Sequence, residues 1–245
     1  TAGPLVTKGR GEEAEGDNRD VNYFLGIDAT GVLAIDFEAM GGGANYPLKG
    51  TTTIQNDTWY HAAAVYDPDA AGHELKLYLN GASQGDRNTN GAVPRHDSIQ
   101  DVAIGAALNS LGMSAGRFEG LVDEVRIWGR ALSLTEIQAG IDNLRRGGET
   151  GLVAMWPCNS GWGSVLEDGT RSGLDGALTN MDTDNCWIDG KQLDPPPAGD
   201  HAIAFSLAGQ CVEIDAAHED TFDFGEGFTI EFWLNVEAWD TPWQA

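Results

Sequence analysis

The clearest hydrophobic pattern in the chain runs from Phe118 to Trp128, which reads FEGLVDEVRIW. Leu121, Val125 and Ile127 are β-forming residues, and charged residues interrupt them at near-alternating spacing. This spacing is typical of a strand with one face in a core and the other face in water. We therefore predict a half-buried strand at this position.

A short helix is predicted directly after this strand. Ser133 precedes Glu136 by three residues. At that spacing the serine hydroxyl can accept the backbone N–H of residue 136, while the glutamate carboxylate reaches back to the serine N–H. We expect a helix around Leu134 to Leu144.

Alternating apolar residues predict further strands in both halves of the chain. Leu75, Leu77 and Leu79 would share one face of a strand. The pair Asn80-Gly81 follows directly and suits the positive φ angles of a type I′ hairpin turn. With 33 glycines and 41% hydrophobic residues, the composition is that of a globular, turn-rich β protein.

The chain is strongly acidic, with 38 acidic and 14 basic residues among 245 and a formal net charge of −24. Nucleic acids and anionic membrane surfaces are excluded as partners because they carry the same sign of charge. The acidic excess favours solubility and cation binding, or it only solvates an extracellular or high-salt surface. No apolar run approaches the roughly 20 residues that span a bilayer. The chain starts at a threonine without a signal peptide, so we expect a processed product or part of a longer polypeptide.

Three cysteines, Cys158, Cys186 and Cys211, lie in the last third of the chain. They form no C-x-x-C pair that would indicate a zinc or redox site. In an oxidising compartment one disulfide and one free thiol are expected, and three pairings are possible. We favour a disulfide between Cys158 and Cys186, because both are close to tryptophans in the sequence.

Two blocks of sequence resemble a known family. FEGLVDEVRIWGRALSLTEIQ, at Phe118–Gln138, is similar to the closing strand and helix of laminin G-like jelly rolls in the concanavalin A-like lectin/glucanase superfamily. WYHAAAVYDPDAAGHELKLYLNG, at Trp59–Gly81, is similar to a hairpin of the same domains. The resemblance implies an all-β, two-sheet antiparallel jelly-roll sandwich of about a dozen strands with one short helix. The residues that it places in the core are Phe24, Leu25, Val65, Leu77, Leu79, Ile104, Val125, Ile127, Val153, Phe205, Ile214, Ile230 and Phe232.

The matching segments occur in an unusual order. Residues 1–143 resemble the second half of the fold, residues 144–151 form a linker, and residues 152–245 resemble the first half. FTIEFWL, at Phe228–Leu234, resembles a strand that relatives follow directly with a segment like PLVTKG, at Pro4–Gly9. The halves are complementary and not duplicates, so together they amount to one sandwich.

Two arrangements agree with this order. The first and last strands of a jelly roll are neighbours, so a linker could join the original termini and let the chain close as one circularly permuted sandwich. Residues 1 and 245 would then lie within roughly 10 to 15 Å of each other. Alternatively, the chain is one period of a tandem array cut in mid-domain, and each half pairs with an adjacent copy.

Nothing in the sequence indicates catalysis. Glycoside hydrolases of this superfamily need two carboxylates on one strand, typically in an E-x-D-x-x-E run, and the chain has none. Asp123 and Glu124 are adjacent, so a regular strand points them to opposite faces. No nucleophile motif accompanies His61, which we expect to be structural. We predict that the protein is not an enzyme.

The resemblance implies a structural Ca²⁺ site. In relatives an aspartate of the closing strand binds the ion together with main-chain carbonyls from the first strand and from a glycine turn. The matching positions are Asp123 for the carboxylate and Pro157 and Gly209 for the carbonyls. Oxygen ligands of this kind are those that Ca²⁺ prefers. The alternative is that Asp123 only accepts backbone hydrogen bonds.

Binding and assembly are the remaining functions. Laminin G-like modules bind glycans or proteins through loops at the rim of the sandwich. Trp162, Trp187, Trp239 and Trp243 lie in loop-like sequence, where they can stack on sugars or plug the ends of the sandwich. The order of the halves favours an extracellular or cell-surface adhesion module that assembles with copies of itself into a repetitive surface or filament. The alternative is a discrete glycan-binding module of a secreted protein, which could also bind extracellular proteins.

Overall fold

The computed structural model describes residues 3–9, 21–193 and 199–237. The described residues form eighteen strands, one α-helix, α1 (Leu134–Gly140), and one 3-10 helix (Ala216–Phe222). No helix among them is long and apolar enough to cross a membrane. In chain order the strands are β1 (Gly3–Lys8), β2 (Tyr23–Ile27), β3 (Val32–Asp36), β4 (Leu48–Thr53), β5 (Trp59–Tyr66), β6 (Leu75–Leu79), β7 (Ala82–Arg87), β8 (Val102–Ile104), β9 (Ala107–Leu108), β10 (Ser114–Ala115), β11 (Gly120–Trp128), β12 (Leu152–Trp156), β13 (Val165–Leu166), β14 (Gly176–Thr179), β15 (Trp187–Asp189), β16 (His201–Phe205), β17 (Cys211–Ile214) and β18 (Phe228–Val236).

These strands form two eight-stranded sheets and a two-stranded hairpin, β9–β10. The first sheet has the order β13-β14-β17-β8-β1-β2-β3-β4. The second has the order β15-β16-β11-β18-β5-β6-β7, and β12 also pairs with β11. All of these pairings are antiparallel. The expected all-β, two-sheet antiparallel sandwich is confirmed, with more strands than expected because several have only two or three residues.

Each sheet contains strands from both halves of the chain. In the second sheet, β11 lies between β16 and β18. In the first sheet, β8 lies between β1 and β17, and its Ile104 is paired with Val6 on one side and Val212 on the other. The backbone hydrogen bonds at the centre of both sheets therefore join segments from either side of residues 144–151.

The two ends of the described chain approach the same short segment. The Glu237 N–H donates to the Glu119 carbonyl at 3.3 Å. Gly3 packs so closely on the neighbouring Phe118 that an added Cβ would lie 3.2 Å from the Phe118 Cα. The chain termini, whose proximity the closed arrangement predicts, lie outside the described residues.

The core lies between the facing surfaces of the two sheets, where Phe228, Ile230, Phe232 and Leu234 of β18 are completely buried. This alternation along β18 agrees with the predicted inward face. Three of the predicted core positions differ: Val153 is only partly buried, Val65 is buried on the outer face of the second sheet, and Phe24 is half-buried on the outer face of the first. The other predicted positions belong to the main buried cluster, namely Leu25, Leu77, Leu79, Ile104, Val125, Ile127, Phe205, Ile214, Ile230 and Phe232.

Helix α1 covers part of the outer face of the second sheet, next to Trp128. The predicted capping box is confirmed, since Ser133 Oγ accepts the Glu136 N–H at 3.3 Å and Glu136 Oε2 accepts the Ser133 N–H at 2.8 Å. The helix ends at Gly140, earlier than predicted. The Gly140 carbonyl accepts hydrogen bonds from Arg126 Nη1 at 3.1 Å and from the Asn143 N–H at 3.4 Å, so a turn and a contact with the sheet end the helix.

Candidate functional site

Asp123, the predicted calcium ligand, is buried at an irregularity in β11. The register with β18 shifts between Asp123 and Arg126, and Glu124 has a φ of 51°, as at a β-bulge. Asp123 Oδ1 accepts the Glu124 N–H at 2.7 Å, and Oδ2 accepts the Lys191 N–H at 2.8 Å. Burial raises the pKa of Asp123 to about 8, and the charges of Glu124 and Asp200 act in the same direction.

Gly209, one of the predicted calcium ligands, is not brought to Asp123. Strand β16 runs antiparallel to β11, and its last residue, Phe205, pairs with Gly120. The turn that contains Gly209 therefore lies beyond Gly120, at the start of β11 and three residues before Asp123. Its carbonyl accepts a hydrogen bond from Asn180 Nδ2 at 3.0 Å. The direction of β16 leads this glycine turn away from Asp123, and the calcium ligand set stays a prediction.

Pro157 and Asp200 do lie near Asp123. Pro157 directly follows the residue that pairs with Val125, so it stands beside the bulge. An ideal Cβ on Gly190 would lie 2.7 Å from both Asp123 Oδ2 and Asp200 Oδ1, so the two carboxylates face each other across that glycine. Within the described ranges no three His, Cys, Asp or Glu side chains are grouped in a way that could hold a metal ion.

The three cysteines are buried free thiols, so the predicted disulfide between Cys158 and Cys186 is absent from the structure. Cys158 Sγ lies 3.6 Å from the Trp156 carbonyl. Burial raises the pKa of the Cys158 thiol well above its ordinary value, and the nearby Asp123 adds to this effect. Cys158 and Cys186 both pack in the main core cluster, where they act as small apolar side chains.

The predicted ligand-binding tryptophans differ in exposure. Trp162 is 79% exposed in the loop after β12, whereas Trp187 is 8% exposed in β15. The Trp187 Nε1 donates to the Gly163 carbonyl at 2.9 Å, so this residue closes the end of the core and supports the loop. Trp239 and Trp243 lie outside the described residues. Of the predicted ligand-binding tryptophans that the structure describes, Trp162 and Trp187, only Trp162 has an exposed ring that a ligand could contact.

The loop that carries Trp162 is anchored on both sides. Asn159 Oδ1 accepts the His201 N–H at 3.4 Å, and the indole of β15 holds Gly163. Gly161 has a φ of 71°, and a Cβ there would lie 2.7 Å from His201 Nε2, so glycine is required for both conformation and space. The exposed ring thus projects from a fixed turn.

A buried charged cluster, formed by His61, Glu124, Arg126 and Glu231, lies beneath α1. Each of the four residues is at most 3% exposed. Arg126 Nη2 donates to Glu124 Oε2 at 2.8 Å and Nη1 lies 3.5 Å from Glu231 Oε1, while His61 Nε2 lies 3.4 Å from Glu231 Oε2. Because Arg126 also binds the Gly140 carbonyl, the cluster fastens the helix to the sheet and gives His61 a structural contact.

Burial and charge compete within the cluster. Burial raises the pKa of Glu124, although Arg126 opposes the shift. Burial also acts to raise the pKa of Glu231, but the contact with His61 and the charge of Arg126 outweigh it, and the pKa is lowered. The pKa of Arg126 is raised because its two carboxylate partners outweigh its own burial. The arginine therefore keeps its charge inside the protein and holds both carboxylates.

Comparison with protein-family models matches residues 4–138 to a laminin G model of the concanavalin A-like lectin/glucanases superfamily. The matched region makes up more than half of the chain. The chain belongs to this family. Searches of curated proteins and of solved structures found no match.

Two features of this laminin G-like chain extend beyond the matched region. The charged cluster takes Glu231 from β18, and the exposed ring of Trp162 lies in the loop after β12. The near-alternating charges of β11 predicted a face in water, but every residue of β11 is buried, so the strand pattern did not reveal the cluster. The available signal was Glu231 itself, a single charge inside the apolar run FTIEFWL, which requires a partner when the strand is central in a sheet.

Proposed function

We propose that this laminin G-like chain is a non-catalytic, extracellular binding module that holds a glycan against Trp162. The observation that carries the proposal is the 79% exposure of this side chain on an anchored loop at the rim of the sandwich. A large aromatic ring in water is unfavourable unless a partner covers it, and the apolar face of a sugar suits an aromatic ring.

The positions of the described carboxylates support binding without hydrolysis. A glycosidase needs two carboxyl groups roughly 5 to 9.5 Å apart that flank the substrate. Asp123, Glu124 and Glu231 are all buried and cannot flank a polysaccharide. On the outer face of the first sheet, Asp36 is the single described carboxylate that lines a cleft. A second cleft is lined in part by Asp67, Asp69, Glu136 and Glu226, but Asp67 pairs with Lys76 and Glu136 pairs with Arg130. The buried or paired state of most of these carboxylates supports a lectin-like role over a glucanase-like one.

Replacing Trp162 with alanine is expected to weaken glycan binding about tenfold or more, because the stacking surface is lost. Binding is measured by affinity electrophoresis against a panel of soluble polysaccharides. The melting temperature should stay unchanged, since the ring makes little contact with the core. Ile99→Ala is a matched control, because Ile99 is 60% exposed in another loop and belongs to no proposed binding surface. Equal retention of wild type and Trp162→Ala on every polysaccharide would contradict the proposal.

We infer that the two halves close within one chain as a circularly permuted sandwich. The placement of β11 between β16 and β18, and of β8 between β1 and β17, supports this inference. The contacts of Gly3 and Glu237 with neighbouring residues Phe118 and Glu119 support it further. A closed chain leaves no need for strand exchange between copies, which was the basis of the tandem arrangement.

Self-assembly of closed units is a second candidate, favoured by an apolar rim. Leu111, Met113 and Leu207 are 75%, 48% and 64% exposed. Their loops are adjacent, since a Cβ on Gly209 would lie 3.6 Å from Ser114 Oγ. Copies would then meet through this rim, as building blocks of a larger surface assembly.

Light scattering on a sizing column tests the self-assembly. Assembly through the rim predicts species that grow with concentration and return to monomers in the double variant Leu111→Asp/Leu207→Asp, because charges in the contact oppose association. A wild-type monomer at every concentration would eliminate the assembly role and leave the discrete binding module.

Calcium binding at Asp123 is also proposed, with Asp200 as a neighbouring carboxylate in place of the distant Gly209. The raised pKa of Asp123 is the effect expected of a buried carboxylate that lacks a counter-charge. Both of its oxygens accept backbone N–H groups, so a bound ion would have to compete with these donors.

A further inference from the structure

A cleft of about 310 Å³ opens on the outer face of the first sheet, across β1, β2, β3 and β4. Cross-strand register explains why the sheet is hollow here. Gly26 of β2 pairs with Pro4 of β1 and with Ala34 of β3, and Ala34 pairs in turn with Lys49 of β4. The two central positions of this row have almost no side chain, so the row forms a trough.

Phe24 forms the floor of the cleft. Its ring lies over Gly26, where an added Cβ would come within 2.9 Å of the ring atoms. This explains why Phe24, which sequence analysis placed in the core, is half-buried on the outer face. Ala107 and Ala115 of the β9–β10 hairpin and Pro47 also line the cleft. The lining is therefore mostly apolar.

Asp36 is the one described carboxylate in this lining, and the register pairs it with Phe24. Asp36 Oδ1 has no hydrogen-bond partner. Burial raises the pKa of Asp36 to about 6, although the backbone N–H groups of Tyr46 and Phe37 and the charge of Arg87 act in the opposite direction.

Lys49 and Arg87, the cationic side chains near Asp36, make their contacts with other groups. Lys49 Nζ pairs with Asp28 Oδ2 at 2.8 Å, and the Arg87 guanidinium donates to the Pro47 carbonyl and lies over the Tyr46 ring. Within the described part of the chain, no ion pair satisfies the Asp36 carboxylate.

We propose that this cleft binds a small apolar amine, whose body packs on Phe24 between the alanines and whose ammonium group pairs with Asp36. The volume matches the lower end of small-molecule pockets, roughly 300 Å³. An ammonium makes a charge-assisted hydrogen bond with a carboxylate, and the net charge of −24 attracts cations and repels anions. The site is separate from the glycan platform at Trp162, so it goes beyond the proposed function.

Apolar walls disfavour a sugar in this cleft. A pyranose would bury several hydroxyl groups against Pro4, Pro47 and the alanines, which offer no side-chain hydrogen bonds, and unpaired buried hydroxyls are costly. The other polar side chains of the lining are Asn45 and Lys49, and Lys49 is paired with Asp28. An amine with an apolar body has one polar end, and Asp36 has one oxygen without a hydrogen-bond partner.

Titration calorimetry near neutral pH with three matched probes tests the proposal. The probes are 2-phenylethylamine, 2-phenylethanol and 3-phenylpropionate, which share an apolar body and differ in the charge of the polar end. We expect saturable binding of the amine about tenfold tighter than that of the alcohol, with the carboxylate weakest. Equal binding of amine and alcohol, tighter binding of the carboxylate, or no saturable binding of the amine would overturn the proposal.

Variants locate the binding. Ala34→Leu fills the trough and is expected to weaken amine binding at least about tenfold, whereas Ala82→Leu, at an exposed position of β7, leaves it unchanged. Asp36→Asn should make the amine bind like the alcohol, and Lys49→Ala should not weaken the amine. If Asp36→Asn fails to fold, the binding of the three probes to wild type and to Ala34→Leu still tests whether the cleft binds the amine. Undiminished binding to a folded Ala34→Leu variant would place the amine elsewhere and refute the cleft.

Discussion

Replacing Arg126 with methionine is expected to destabilise the domain by about 3 to 5 kcal/mol, because it leaves Glu124 and Glu231 buried without their cation. The arginine also donates to the Gly140 carbonyl, so the end of α1 loses its attachment to the second sheet. Urea unfolding measured by tryptophan fluorescence gives the free energy. A loss of this size would be a large fraction of the stability of a typical domain.

A double-mutant cycle separates the ion pair from packing effects. Glu231→Gln alone removes one of the two carboxylates, and the combination with Arg126→Met is expected to lose less than the sum of the single changes, since the remaining unpaired charge is smaller. Lys76→Met is a control: Lys76 pairs with Asp67 at 2.8 Å, but both are partly exposed, so the cost should stay below about 1 kcal/mol. A similarly small cost for Arg126→Met would contradict the buried cluster.

The free energy of unfolding is expected to fall as the pH rises from about 4 to about 8. Burial raises the pKa of Asp123 from 3.8 to about 8, and those of Asp36 and Asp101 from 3.8 to about 6. At a pH between the ordinary pKa and the raised pKa of each group, the folded state binds more protons than the unfolded state. The free energy of unfolding therefore decreases with increasing pH. Asp28 and Glu136 affect stability in acid, because their pKa values are lowered to about 2 in the folded state. The stability that these two carboxylates contribute is lost as the pH falls from about 4 to about 2. A stability maximum near pH 4 to 5 follows.

Asp123→Asn should flatten the loss between pH 4 and 8, since it removes the group with the largest of these shifts. The asparagine oxygen can still accept the Glu124 N–H. Asp69→Asn, at an exposed turn position, is the control and should leave the profile unchanged. Thermal unfolding followed by circular dichroism across this pH range gives the measurement, and stability that rises between pH 4 and 8 would be inconsistent with a buried, uncompensated Asp123.

The same experiment tests the proposed calcium site. An ion bound only by the folded state raises the melting temperature. It would do so more near pH 8 than at lower pH, because the pKa of Asp123 is about 8 and the ionised fraction of this carboxyl group rises toward that pH. We expect Ca²⁺ to raise the wild-type melting temperature there and to have less effect on Asp123→Asn. Identical melting temperatures with Ca²⁺ and with chelator would remove the calcium proposal and leave the pH prediction standing.

Local patterns in the sequence determined the strand at β11, the capping box at Ser133 and most of the core, including Ile230 and Phe232. These features depend on neighbours a few residues apart, because alternation selects one face of a strand and capping joins positions three residues apart. The same patterns also carried the resemblance to the laminin G-like family, which the match over residues 4–138 bears out.

Tertiary structure alone decided which groups meet across long distances in the chain. The contact of Arg126 with Glu231 spans 105 residues, and a charge in a strand pattern does not reveal whether another element will cover it. Phe24 lies in an apolar run, yet Gly26, two residues farther along β2 on the same outer face, provides room for its ring. Gly209 was assigned to Asp123 by family resemblance, but the direction of β16 carries it away. In each case the deciding quantity is the register and direction of strand pairing, which is set by the packing of the whole sandwich.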